Sequence, residues 1–192
     1  VGLNKVGTTS LSHAFSCAGF PTSHFLCGGR IGGKCGRCVR RNIDSGKPPL
    51  EGCGAYEVWT ELDGALDAEE CFFPQVTHLE EFHKHYPDMV FILNTRPVDS
   101  WLNSVNHYGR LHDRYTACNF PDLPTGKGAS DRELGEFMLK HNQNVRDFVA
   151  KHPSHPLVEV DIESRDVAKI LGTYFDINSK CWTQMNGNRK AH

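Results

Sequence analysis

A polar turn between an apolar segment and an amphipathic helix constrains the fold more than any other feature. Gly2 and Leu3 predict the end of a buried strand, and residues 4–9 form a glycine-containing turn. A helix is predicted from Ser10 to Gly19, where glycine favours a C-terminal stop. Its apolar residues recur at helical spacing: Leu11, Ala14, Phe15 and Ala18. Such a turn directs backbone N–H groups and the positive end of the helix at one point, which predicts an anion site in an α/β fold.

The side chains of this turn suit a tetrahedral dianion. Lys5 supplies a mobile positive charge, and Gly7 allows the backbone to approach an anion closely. Hydroxyl donors follow at Thr8, Thr9 and Ser10. The order differs from the usual nucleotide-triphosphatase loop, in which lysine follows the second glycine, and no downstream acidic strand end marks a magnesium site. A simple Gly/Thr turn with a surface lysine is the alternative.

A second anion site is predicted beside the clearest buried strand. Residues 89–93 are apolar on both faces, as in a parallel sheet, and Arg96 follows at the carboxyl end, where ligands bind in open α/β sheets. Ser104 lies about two turns into the predicted helix 100–108. Arg96 and Ser104 could grip a phosphate separate from the first, with Asp99 capping the helix or orienting Arg96. Taken singly, Arg96 could equally be a structural ion-pair partner.

The remaining periodicity predicts strands that alternate with helices. The predicted strands are 55–62 and 157–160, and the predicted helices are 74–86, 130–151 and 164–174, with a loop at 109–129. The 130–151 helix opens with the capping box Ser130-Asp-Arg-Glu133. This order predicts a single domain over residues 1–192: a three-layer α/β fold like that of P-loop nucleotide transferases, with a parallel sheet flanked by helices. Residues 24–54 form a cysteine-rich insertion.

Eight cysteines in 192 residues favour disulfides formed in an oxidising compartment. The competing interpretation is zinc, because Cys35-Gly-Arg-Cys38 has the spacing of a metal clamp and Cys27 and Cys53, or His24, could complete four ligands. Free buried thiols are the third possibility. The formal net charge of −2 gives no general attraction to nucleic acid. No apolar run approaches the roughly 18 residues needed to span a bilayer, so a membrane contact is expected only through an upstream segment.

These two sites resemble those of the sulfotransferase superfamily, in a glycan-type or uncharacterised branch. The family's K-x-G-T-T-S-L loop is matched from Lys5 to Leu11, and its strand-end arginine and later serine are matched by Arg96 and Ser104. The resemblance is strong over residues 1–19 and 86–108 and topological to about residue 177. The cysteine-rich insertion departs from it, and no G-x-x-G-x-x-K element is present. Residues 187–190 could substitute for that element, and Trp182 could either stack on adenine or pack.

The resemblance implies transfer of a sulfuryl group from 3′-phosphoadenosine 5′-phosphosulfate to a hydroxyl or amine, with a carbohydrate as one candidate acceptor and no metal. Lys5 would contact the sulfuryl and bridging oxygens, residues 7–10 the 5′-phosphate, and Arg96 with Ser104 the 3′-phosphate. The general base is expected at the end of a strand. Glu57, Glu61 and Asp63 are candidates that share one face of a regular strand. Glu61 and Asp63 are favoured as catalytic residues, and a solvated carboxylate is the alternative for each.

Other functions and surroundings remain open at this point. A small-molecule kinase, a catalytically inactive nucleotide- or glycan-binding module, and a zinc-stabilised interaction domain are the alternatives. Lys34, Arg37, Arg40 and Arg41 form a basic run that is either a solvated loop or a contact for an anionic acceptor. His78, His83 and His85 are expected at the surface of a helix. The cysteines favour the Golgi lumen or another secretory compartment over the cytoplasm.

Overall fold

The computed structural model describes residues 1–28, 33–63 and 71–185. In this part of the chain the strands are β1 (Thr22–His24), β2 (Val58–Thr60), β3 (Phe91–Thr95) and β4 (Leu157–Asp161). The helices are α1 (Thr8–Cys17), α2 (Cys35–Asp44), α3 (Pro74–Thr77), α4 (Leu79–His85), α5 (Val98–Asn106), α6 (Leu111–Ala117), α7 (Asp131–Lys151) and α8 (Val167–Phe175). A 3₁₀ turn at Ser179–Cys181 follows α8.

The strands pair in parallel, which confirms the predicted α/β class. β1 pairs with β2, and β3 pairs with β4 from Phe91 opposite Leu157 to Thr95 opposite Asp161. The start of the chain lies beside β3, where the Val1 nitrogen donates to Ile92 O at 2.7 Å. The prediction of one parallel sheet is confirmed only in part, because within the described residues the strands form two separate two-stranded sheets. A cavity of about 690 Å³ is lined by residues 1–4, by β2 and by the start of β3.

Three helical predictions agree with the structure where local signals are strong. α1 begins at Thr8, two residues before the predicted start. The capping box is confirmed, since Ser130 Oγ accepts from Glu133 N at 3.3 Å and α7 runs to Lys151 as predicted. α8 ends at Phe175, one residue beyond the predicted end.

Three other predictions are wrong. The predicted helix 74–86 is two short helices that meet at His78, whose extended φ of −133° interrupts the helix. The predicted loop 109–129 contains α6, which buries Leu111, Arg114 and Tyr115. The supposedly irregular insertion contains α2, which a hydrophobic period does not reveal because its buried residues, Cys35, Gly36, Val39 and Asn42, include a single aliphatic side chain.

All eight cysteines form disulfides, which confirms that prediction. The pairs are Cys17–Cys181, Cys27–Cys35, Cys38–Cys53 and Cys71–Cys118. The zinc alternative is wrong, because the four cysteines proposed as ligands form two disulfides, Cys27–Cys35 and Cys38–Cys53. Disulfides of this number indicate an oxidising compartment. Within the described ranges, none of the helices has an apolar stretch long enough to cross a bilayer.

The buried apolar residues within the described ranges form three clusters, and two of them include residues that flank the polar turn. α5, α6 and α7 bury Trp101, Tyr115 and Phe137 together, and Trp101 Nε1 donates to Asn4 O at 2.8 Å. A second cluster joins α1 to β4 and α8. Leu3 and Val6 belong to the first cluster and Leu11 to the second, so both clusters hold residues next to the polar turn.

Candidate functional site

The polar turn before α1 depends on its glycine. Gly7 has a left-handed φ of 82°, and a Cβ built there would lie 2.9 Å from the Ile162 side chain. The first helical hydrogen bond runs from Leu11 N to Gly7 O. The N–H groups of residues 8–10 consequently have no acceptor within the helix, as at any helix start. This left-handed glycine before a helix start is the local geometry that the predicted anion site requires.

Lys5 lies at the edge of this turn, half-buried, with a left-handed φ of 68°. Its Nζ lies 3.5 Å from the centroid of the Tyr108 ring, a cation–π contact with a residue that follows α5. Burial lowers the pKa of Lys5, the charge of Glu61 opposes that change, and the charge of Arg96 adds to it. The turn therefore concentrates positive charge in a partly desolvated position.

Arg96 joins the second predicted anion site to the first. It follows β3 directly, and its Nη1 donates to Lys5 O at 3.1 Å. Its Nε donates to Glu163 Oε1 at 3.0 Å, and Nη2 contacts the same oxygen. The carboxylate partner is thus Glu163, where the sequence suggested Asp99. Ser104 is buried on α5, in the helix that follows Arg96.

Glu61 turns towards α1 at the end of β2. β2 ends at Thr60, and Glu61 adopts a left-handed φ of 57°. Its Oε2 accepts a hydrogen bond from Thr8 Oγ1 at 3.1 Å and lies 2.7 Å from His24 Nε2. Burial alone would raise the pKa of Glu61, but the hydrogen bond and charge of His24, the Thr8 hydroxyl and the charge of Lys5 together lower it.

Asp63 belongs to a different, buried network. Its Oδ2 accepts from Asn4 Nδ2 at 2.7 Å, and Arg114 Nη2 lies 3.9 Å from Oδ1. The predicted common face of Glu57, Glu61 and Asp63 is wrong, because the left-handed residue at 61 interrupts strand alternation and Glu57 precedes the strand. Glu57 is exposed, whereas Asp63 is 3% exposed.

The end of the described chain approaches the start of α1. Ser10 Oγ accepts from Met185 N at 2.8 Å, so this buried hydroxyl already contacts the protein. Thr9 Oγ1 lies 3.4 Å from His24 Nε2. Trp182 is half-buried against the cluster of α1 and α8. The predicted substitute element at residues 187–190 lies outside the described residues.

His24 lies beside Glu61 in the candidate site, although the sequence suggested it only as a possible zinc ligand. It ends β1, next to the strand that Glu61 follows, so the parallel β1–β2 pair places both side chains at the same edge. The available signal was the β-strand itself, which is only three residues long and lies at the border of the insertion. The predicted surface histidine His83 is instead half-buried, with Nδ1 2.9 Å from His155 Nε2.

The cysteine-rich insertion is attached at this edge. Cys35 N donates to Phe25 O at 2.8 Å, which ties the start of α2 to the residue after His24. Two disulfides cross-link α2 to the chain on either side of it: Cys27–Cys35 before the helix and Cys38–Cys53 after it. Arg37, Arg40 and Arg41 are exposed on the outer face of α2.

Comparison with known proteins supports the same classification. A family model described as a sulfotransferase domain matches residues 1–125, which is more than half of the 192 residues. No curated protein and no solved structure matches the sequence. The matched range contains the polar turn, His24, Glu61 and Arg96, whereas Glu163 and Trp182 lie beyond it. The chain therefore belongs to the sulfotransferase family, whose general activity is sulfuryl transfer.

Proposed function

We propose that this protein transfers a sulfuryl group from 3′-phosphoadenosine 5′-phosphosulfate to a hydroxyl or amine, with a carbohydrate as one candidate acceptor. The observation that supports it is the hydrogen bond from Arg96 Nη1 to Lys5 O at 3.1 Å. That contact brings two cations from separate parts of the chain to the turn at the start of α1. Two adjacent positive anion sites suit a nucleotide that has phosphates on both its 5′ and 3′ positions.

The turn supplies the first of these sites. The N–H groups of residues 8–10, the Thr9 hydroxyl and the positive end of α1 would hold the 5′-phosphate, and the Thr8 hydroxyl would join them only by turning away from Glu61. Lys5 would contact the sulfuryl and bridging oxygens, where charge develops as the bond breaks. Arg96 and Ser104 would hold the 3′-phosphate. Stacking of Trp182 on adenine stays a prediction, since packing against the α1 cluster already accounts for its position.

The reaction is an in-line displacement at sulfur. A bond forms between the acceptor oxygen or nitrogen and sulfur, and the bond between sulfur and the bridging phosphate oxygen breaks. Adenosine 3′,5′-bisphosphate leaves with the electron pair, and Lys5 balances the charge on the bridging oxygen. By analogy with phosphoryl transfer, placement and fixed positive charge supply most of the acceleration. None of these steps uses a metal.

The acceptor proton goes to the pair formed by His24 and Glu61. Glu61 is the carboxylate at the turn, whereas Asp63 is engaged by Asn4 and Arg114. A lowered pKa keeps Glu61 ionised and makes it a weak base. We therefore assign Glu61 to orient His24 through Nε2, so that Nδ1 accepts the proton. General-base assistance of this kind is worth about 10²–10⁴-fold in rate.

Ligand binding tests the nucleotide class. Adenosine 3′,5′-bisphosphate without metal should stabilise the oxidised protein, while ATP with magnesium should not. At 100 times the dissociation constant, stabilisation of about 2.7 kcal/mol corresponds to a rise in Tm of about 5–11 °C. Arg96→Ala should abolish the shift, and Arg146→Ala is the matched control because Arg146 pairs with Glu159 on the surface. Unchanged affinity in Arg96→Ala would refute the assignment.

Transfer of label from a radiolabelled donor then separates the remaining alternatives. A screen of sugar, phenol and amine acceptors should show transfer with at least one class. Tight binding of the bisphosphate without any transfer would favour an inactive binding module, and stabilisation by ATP with magnesium would favour a kinase. An anionic sugar acceptor would suit the exposed arginines of α2. The disulfides support a place in the Golgi lumen or another secretory compartment, and we propose no nucleic-acid partner.

A further inference from the structure

We infer that Glu163 sets the affinity for the donor, because its carboxylate occupies the position of the donor's 3′-phosphate on Arg96 and must be displaced when the donor binds. The inference rests on the proposed function and adds a residue to it. Glu163 lies beyond the residues that the family model matches. Neither the anion-binding motifs nor the strand-end pattern of the sequence indicates it.

The fold brings Glu163 to Arg96 through the β3–β4 register. Thr95 lies opposite Asp161, so the residues after both strands emerge side by side. Glu163 N donates to Asp161 Oδ1 at 2.9 Å, which turns the chain just after β4. The Glu163 side chain thereby reaches across the end of β3 to the first turn of α5.

The surroundings of this carboxylate are those of an anion site. Glu163 Oε1 accepts from Arg96 Nε at 3.0 Å and also contacts Arg96 Nη2. Glu163 Oε2 accepts from Ser100 Oγ at 3.0 Å, in the first turn of α5. A guanidinium, a hydroxyl and the start of a helix are groups that a phosphate also uses. A phosphate carries more negative charge than a carboxylate and can therefore compete for them.

Glu163 is the more accessible member of its pair, and the incoming phosphate would replace its charge beside Arg96. Its side chain is 29% exposed, whereas that of Arg96 is 13% exposed. Arg96 Nη1 stays bonded to Lys5 O, so the guanidinium keeps its orientation when the carboxylate moves away. The pair of Asp63 and Arg114 contrasts with it, since the carboxylate of that pair is only 3% exposed and has no route to solvent comparable to that of Glu163.

The binding of two nucleotides distinguishes displacement from structural support. Dissociation constants of adenosine 3′,5′-bisphosphate and of adenosine 5′-phosphate are measured for the wild type, Glu163→Gln and the control Glu159→Gln, which removes the carboxylate paired with Arg146. Loss of the competing charge should tighten binding of the bisphosphate about tenfold in Glu163→Gln. Its affinity for the 5′-phosphate, and both affinities in Glu159→Gln, should match the wild type. Unfolding curves check that each variant is folded.

The outcomes separate this inference from the proposed function. If the wild type binds the bisphosphate in an Arg96-dependent way but Glu163→Gln binds it more weakly or equally, Glu163 supports Arg96 and the displacement is refuted while the function stands. If neither the wild type nor Glu163→Gln binds the bisphosphate, both the inference and the proposed function fail. An equal gain for both nucleotides would also refute the inference, because the effect would not depend on the 3′-phosphate.

Discussion

A Gly7→Ala substitution measures how strongly the fold depends on the glycine of the polar turn. Gly7 has a φ of 82°, and an alanine there pays about 1–2 kcal/mol for the left-handed conformation. The added Cβ would also lie 2.9 Å from Cδ1 and Cγ2 of Ile162, and overpacking of this kind costs about 1–3 kcal/mol. Because backbone strain and steric conflict act together, the free energy of unfolding should fall by about 2–5 kcal/mol.

The matched control is Gly19→Ala. Gly19 also has a left-handed φ, 91°, but no atom lies within 4 Å of a Cβ built there. Its substitution should therefore cost only the backbone contribution of about 1–2 kcal/mol. Urea denaturation of the oxidised proteins gives both values from the shift of the midpoint at constant slope. Equal losses in the two variants would show that Ile162 yields freely and that packing does not fix the turn.

Three further predictions concern the charged residues of the site. Lys5→Ala should remove most sulfuryl transfer while partly sparing the binding of adenosine 3′,5′-bisphosphate. Turnover and a binding titration are measured on the same preparation. Equal losses of transfer rate and of binding affinity would contradict a role for Lys5 at the bridging oxygen. The pKa of Glu61 is lowered in the folded protein, so its ionised carboxylate stabilises the fold at pH values above its ordinary pKa of 4.5. That stabilisation is lost as the pH falls through the pKa of the folded protein. Glu61→Gln should therefore flatten the acid side of a curve of unfolding free energy against pH, and an unchanged curve would refute the role of Glu61 in stability. Asp63→Asn should chiefly destabilise the fold, by about 3–5 kcal/mol, because it leaves Arg114 buried without its counter-charge; a large loss of transfer at normal stability would instead place Asp63 in the catalytic machinery.

Local patterns in the sequence predict the parts of the fold that local forces decide. The capping box at Ser130 predicts the start of α7 because its hydrogen bonds lie within four residues. The polar turn is predictable for the same reason, since a glycine, a lysine and hydroxyls adjoin one helix. The disulfide pairs are not predictable, because eight half-cystines allow many connectivities and Cys17 finds its partner 164 residues away.

The arrangement of the candidate site could not be predicted from local sequence patterns, because it depends on contacts between distant segments. Glu61 and Asp63 look equivalent on a regular strand, but the left-handed backbone at Glu61 sends one carboxylate to the turn and leaves the other to Arg114. His24 ends a three-residue strand, Thr22–His24, whose polar side chains give no strand signal in the sequence. Its proximity to Glu61 follows only once β1 and β2 are known to pair in parallel.

Parallel pairing explains why this site gathers at one edge. Thr8 starts α1 directly after the turn, and His24 and Glu61 end or follow two strands that run in the same direction. Arg96 and Glu163 follow the other two strands, which share a register as well. The groups that the proposed reaction needs together are thus supplied by the ends of separate strands. A change that shifts the β3–β4 register by one residue would separate Arg96 from Glu163 while leaving the pair of His24 and Glu61 in place, so the two halves of the site can be perturbed independently.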